Sequence, residues 1–334
     1  MDHEKQSLRI GTAVILGALL LRLAAGGIFR PVAEFFGQPN IASLLIYLET
    51  GRIVRFSDSL GDTTVFVPVS LTEPEPETEA TEPPTRPVFT AEEGKQADIR
   101  GVDLTADPGA LIEKPLDWDL TGEQPTVLIY HSHATESYTP SPGESYQESS
   151  AYRTLAEDYN MVSIGARVAE LLEEGGVKVI HDRQLHDYPD YNTSYNSSRA
   201  SIQDYLDAYP SIELVLDLHR DASGDNNNQM RTAVRVNGEM SSRLMLVVAA
   251  GTNARPVPQW RENLALGLKL STQLERIAPG VTRYVNLRGS RFNQDLSTGA
   301  ILVEVGAAGD THGEALRAAE ILAEAILDLK YGAN

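Results

Sequence analysis

The residues able to do chemistry lie at the ends of apolar runs. The chain has 334 residues, seven histidines and no cysteine. Thiolate ligands, disulfides and a cysteine nucleophile are therefore excluded, and any metal must sit on His, Asp or Glu. One run, Thr126 to Tyr130, continues into His131-Ser132-His133-Ala134-Thr135-Glu136. A second, Leu214 to Leu218, includes Asp217 and continues into His219, Arg220 and Asp221. A third, Ala300 to Val305, carries Glu304 among apolar neighbours. A lone buried His is more often hydrogen-bonded packing than a ligand. Two His two residues apart, with a Glu three further on, are harder to explain by packing. A carboxylate inside an apolar strand is costly unless paired or linked to a metal. Together these groups predict a zinc site, because catalytic zinc takes two or three His with a carboxylate and keeps one open position. Calcium and magnesium prefer all-oxygen shells. Zinc with a nearby proton-moving carboxylate points to hydrolysis of an amide. Ser132 and Ser137 offer a serine mechanism, but no Gly-x-Ser-x-Gly elbow surrounds either. Arg220 and Asp221 allow two readings: a surface ion pair, or groups that orient His219 or grip a substrate carboxylate. His3, His181, His186 and His312 lack comparable company and read as surface or structural residues.

The elements that must position these groups alternate. Strands are expected at 126–130, 177–181, 214–218, 232–236, 244–249 and 300–305. Helices are expected at 160–174, ending at Gly175-Gly176, and at 199–208, 262–277 and 313–329. This order predicts an α/β fold, a mostly parallel sheet with helices on both faces and ligands at the carboxyl ends of the strands.

The formal charge of −19 argues against nucleic acid as a partner. Apolar residues make up 42% and charged residues 22%, the balance of a chain that folds. Leu8 to Phe29 is an apolar run with Lys5 and Arg9 before it, long enough for a single uncleaved span with the amino terminus cytoplasmic. Arg22 would sit near its outer end and snorkel. Residues 1–30 are then a cytoplasmic tip and anchor in the cell membrane, 31–70 a membrane-proximal region and 71–97 a Pro- and Glu-rich extended linker. A lead-in at 98–123 precedes an extracytoplasmic catalytic domain at 124–331.

The segment Val127 to Tyr138, reading VLIYHSHATESY, resembles the signature of the stage II sporulation protein P family. Ser198-Arg199, Asp217 to Asp221, Phe292 to Ser297 and Ile301 to Gly306 match in order, so the resemblance covers roughly residues 124–331. The resemblance implies a zinc N-acetylmuramoyl-L-alanine amidase with endopeptidase activity, cutting peptidoglycan during engulfment beside stage II sporulation proteins D and M. It implies His133 and His219 as ligands and Glu304 as the catalytic Glu. The amidase pattern has a ligand Glu at a helix start, where this chain has Asp158 or Asn160, so Glu136 is the preferred third ligand. His131 either substitutes for His133 or orients it. Arg199, Asn293 and Asp295 are candidates for substrate contact, with a structural role as the alternative. A non-catalytic wall-binding scaffold and a zinc peptidase of other specificity are the competing functions; a scaffold would need no general base.

Overall fold

Strand residues alternate sides, and in this chain the alternation separates packing from chemistry. The computed structural model describes residues 85–102, 105–225 and 228–334. Its main sheet has seven strands: β1 (Ile99–Gly101), β2 (Val127–Tyr130), β3 (Val179–His181), β4 (Leu214–Asp221), β5 (Leu244–Ala249), β6 (Val285–Arg288) and β7 (Ala300–Ala307). Their order is β1-β6-β5-β7-β4-β2-β3. Every junction is parallel except β5 with β7, which is antiparallel. The expected mostly parallel sheet is present, and β2, β4 and β7 run parallel, bringing their carboxyl ends to one edge.

One face of the sheet carries Val127, Ile129, Leu214, Leu216, Leu218, Leu246, Val248, Ile301 and Val303 into the main core. Helices α3 (Met161–Glu174), α5 (Trp260–Ile277) and α6 (His312–Asp328) cover it, contributing Ile164, Leu268 and Leu322 among others. Asn160 caps α3 through Val162 N–H, and Thr311 closes a capping box with Glu314 on α6, fixing where both helices begin. On the other face, α4 (Ser194–Ala208) packs Ile202 on Leu128, Tyr130 and Val215, covering the β2–β4 half. The β7–β5–β6 half of that face keeps only a small cluster of Met245, Val247 and Leu302 beside Phe292 and Tyr284.

Three expectations need correction. The strand expected at 232–236 is shorter, Val234–Val236, and pairs with Glu239–Ser241 in a hairpin outside the main sheet. Neither the edge strand β1 nor its neighbour β6 was expected. The linker and lead-in boundaries also move. Helix α1 (Ala91–Gln96), capped by Thr90, lies within the stretch assigned to the linker. Phe89, Leu111, Ile112, Trp118 and Leu120 are buried in the main core, with Leu111 and Ile112 on the short helix α2 (Pro108–Ile112). The packed unit therefore begins well before 124, because these apolar side chains are part of the main core and Trp118 donates to Leu329 O at the end of the last helix. Buried Lys269 on α5 donates to Ile112 O, tying the lead-in to the core. The anchor, the membrane-proximal region and most of the acidic linker lie outside the described residues. No helix among the described residues is long and apolar enough to cross a membrane.

Candidate metal centre

Beyond β2 the chain turns through His133 and Glu136, and β4 delivers His219. One ligand atom from each of His133, Glu136 and His219 lies within 4.8 Å of the others, all three residues being buried. His133 Nδ1 is 3.5 Å and His219 Nδ1 3.6 Å from the Glu136 carboxylate. Two imidazoles and a carboxylate on rigid strand ends form the donor set that a divalent borderline metal takes.

Glu136 is held on several sides. Arg153 Nη2 donates to it at 3.2 Å, Arg220 Nη1 stands 3.5 Å away, and the backbone N–H of Arg220 donates to its Oε2. Burial alone would favour the protonated acid, but Arg220 and the two imidazoles hold its carboxyl well below the usual range. Arg153 is itself fixed by Asp187 at 2.6 Å and lies over the Tyr191 ring. Tyr191 stacks on His133, and Tyr195, in the first turn of α4, stacks on His219.

Asp217, on the same side of β4 as His219, accepts from Ser132 N–H and Oγ and lies 2.8 Å from His219 Nε2. That last approach is out of line for a hydrogen bond, so it acts as a close charge contact. Burial opposes a charged His219, yet Asp217, Glu136 and Glu304 push its pKa up to about 9. Glu304 is level with His219 across the β7–β4 pair and faces the same pocket. Its Oε2 is buried without a hydrogen-bond partner. Burial, only partly offset by His219, pushes its pKa up to about 8. An orphaned carboxyl oxygen beside two imidazoles and a carboxylate fits a cation and a reacting group in the space between them.

Other candidate residues are placed differently. His131 faces the opposite side of the sheet. Its Nδ1–H donates to Leu218 O, leaving Nε2 to accept from His181 Nε2–H at 2.9 Å, so it is no alternative ligand. The guanidinium of Arg220 donates to Ser137 O and Tyr152 O besides facing Glu136, which leaves no fork for a substrate carboxylate. Asp221 pairs with Arg283 at 2.7 Å rather than with His219. Arg199 and Asp295 form a two-pronged ion pair, and Asn293 donates to Tyr195 O and Ser198 Oγ. These three fasten the loop after β6 to α4. Asp217 was named in the sequence only as part of its run, without a role, and Arg153, Tyr191 and Tyr195 were not singled out. The interleaved tyrosines at 191 and 195, one helical turn apart, were the available signal.

The description "Stage II sporulation protein P" fits residues 69–327 of the sequence, most of the chain. The chain belongs to the stage II sporulation protein P family. A relative bearing that family name, from Bacillus subtilis (strain 168), is 25% identical over 266 residues, covering 76% of this chain and 63% of its own length. The chain thus spans less than two thirds of that family member. Among solved structures, N-acetylmuramoyl-L-alanine amidase AmiC2 of Nostoc punctiforme overlaps 62% of this chain and 97% of its own, with 17% identity and a TM-score of 0.36. An N-acetylmuramoyl-L-alanine amidase from Clostridium difficile overlaps 62% and 97%, with 14% identity and a TM-score of 0.33. Likenesses this distant carry no weight beside the family membership.

Proposed function

We propose that this family member is a zinc-dependent peptidoglycan hydrolase of the N-acetylmuramoyl-L-alanine amidase type, acting on the wall during sporulation. The observation that carries the reading is Glu304 Oε2, a buried carboxyl oxygen without a partner, facing the His133, Glu136 and His219 cluster. His133, Glu136 and His219 would hold the ion, which when bound polarises a carbonyl and makes water acidic. Arg220 keeps Glu136 ionised for that task while Arg153 holds it by a hydrogen bond, and Asp217 and Tyr195 fix the His219 ring. Glu304, level with His219 and with Oε2 free of partners, can take a proton from the attacking water and return it to the leaving amide nitrogen. A scaffold on the same fold would have no use for a buried carboxyl oxygen left free to accept a proton.

The apolar run at 8–29 supports a single membrane span with the described unit outside the cell, tethered by the acidic stretch. Stage II sporulation proteins D and M are the proposed partners, by membership of the family. The deciding experiment is mass spectrometry of muropeptides after incubation with the zinc-loaded protein. Free stem peptides are the expected product. Shortened cross-links alone would make it an endopeptidase, and unchanged material a scaffold.

A further inference from the structure

On the β7–β5–β6 half of the sheet face the metal centre continues into a groove, and its chemistry changes along the way. Its floor runs from Glu304 over Leu302, Met245 and Val247 to Asn286 and Arg288. The charged and polar groups near this face are spoken for, with two exceptions. Arg220 serves Glu136 and two carbonyls, Arg283 serves Asp221, Arg100 serves Asp98, and Arg291 lies near Asp295. Arg288 is exposed and lines the groove, and among the described residues no acidic group pairs with it. Asn286 is the second exception among the polar groups. It is 9% exposed, faces the groove, and its amide makes only a 4.0 Å approach to Met245 sulfur. A buried amide left this free is a hydrogen-bonding group awaiting a partner.

We propose that this half of the groove is a peptide subsite in which Arg288 takes a free carboxylate of the substrate and Asn286 a backbone amide. The proposal deepens the amidase reading and rests on it for the identity of the peptide. Register places Asn286 opposite Val247 and Met245 opposite Glu304, which is itself opposite His219. Arg288 therefore lies three strands across from His219 and four residues along, on the order of 20 Å before the side chains reach inward. A peptide of about three to six residues spans that distance. The guanidinium fork matches a carboxylate with two parallel hydrogen bonds.

The test compares two synthetic muramoyl peptides, one with free carboxylates and one with the same groups amidated, on the zinc-loaded protein. Wild type should favour the free acid by about 10- to 100-fold in kcat/KM, the scale of a charge-assisted pair. R288Q should collapse that ratio toward one, and R288K should give an intermediate ratio because the charge remains without the fork. R167Q removes a charge from α3, on the opposite side of the sheet, and should leave the ratio as in wild type. A wild-type ratio near one, or a ratio that survives R288Q, overturns the subsite. If neither peptide is cleaved, the amidase reading fails, and calorimetric binding of the same pair decides the subsite alone. Preferential binding of the free acid, lost in R288Q, supports it, and equal binding overturns it.

Discussion

At the scale of residues, the division between groups that hold an ion and the group that moves a proton makes a contrast. Glu304→Gln keeps size and much hydrogen bonding but cannot accept a proton, so zinc content by elemental analysis should stay near one per chain. Hydrolysis should fall by about 10²–10⁴, the usual worth of a positioned acid-base group. His219→Ala should instead empty the site, whereas His181→Ala should not. Release of zinc by Glu304→Gln would make Glu304 a ligand. The same groups predict a pH dependence for the chelated protein. His219 (raised to about 9 from 6.5) and Glu304 (raised to about 8 from 4.5) bind protons more tightly folded than unfolded. Their stabilisation is complete below the unfolded values and is lost as pH rises through the folded ones. His181 is lowered from 6.5 to about 4, by burial and then Arg183, and opposes this only below 6.5. Lys269, lowered by burial to about 8, opposes it only above that pH. Between pH 6.5 and 8 the Tm of chelated protein should therefore fall, and added zinc should flatten the decline by replacing the protons. A Tm flat across that window without metal would contradict the assignment. His133, Glu136, His219 and Glu304 were legible because their types are rare among apolar strands. Asp217 was passed over because an acid beside a His is common, and Arg288 because its strand was not recognised.

At the scale of elements, α3 and β2 meet at one tight point. A Cβ on Gly165 would lie 2.5 Å from Nε2 of both His131 and His181, which are locked to each other and to Leu218 O. Gly165→Ala should push α3 off the strand that leads into His133, costing about 1–3 kcal/mol. For a unit this size that is a drop in Tm of roughly 2–12 °C, measurable by scanning calorimetry. An unchanged Tm would mean the two imidazoles move aside freely. The long strands and helices were legible from period alone: Leu244–Ala249 is apolar throughout, and Met161–Glu174 carries an apolar stripe. Strand β6, reading VNLR, was not. It alternates apolar and polar over only four residues, and its place comes from pairing with β5 and β1. Nor does local pattern reveal that β5 runs against β7, since strand direction is set by the connections.

At the scale of the whole molecule, the amino-terminal part of the described unit is stitched to its other end. Phe89 N–H donates to Asn334 O, Asn334 N–H to Pro87 O, and Leu116 bridges Ala333. A chain beginning at residue 85 should melt in one cooperative transition, whereas one beginning at 124 should not. The shorter chain would strip Phe89, Ile112 and Leu120 from the core and β1 from β6, a loss of several large buried side chains. Equal melting curves by circular dichroism would show that 85–123 is dispensable. The groove has a consequence of another kind. Met245, Val247 and Leu302 form its floor but are only 2–4% exposed, so filling it releases little water from apolar surface. Occupancy should therefore carry only a small heat-capacity change, and its enthalpy should vary little with temperature. Ligands that reach Arg288 should differ from ligands that stop at the metal centre in how steeply added salt weakens them.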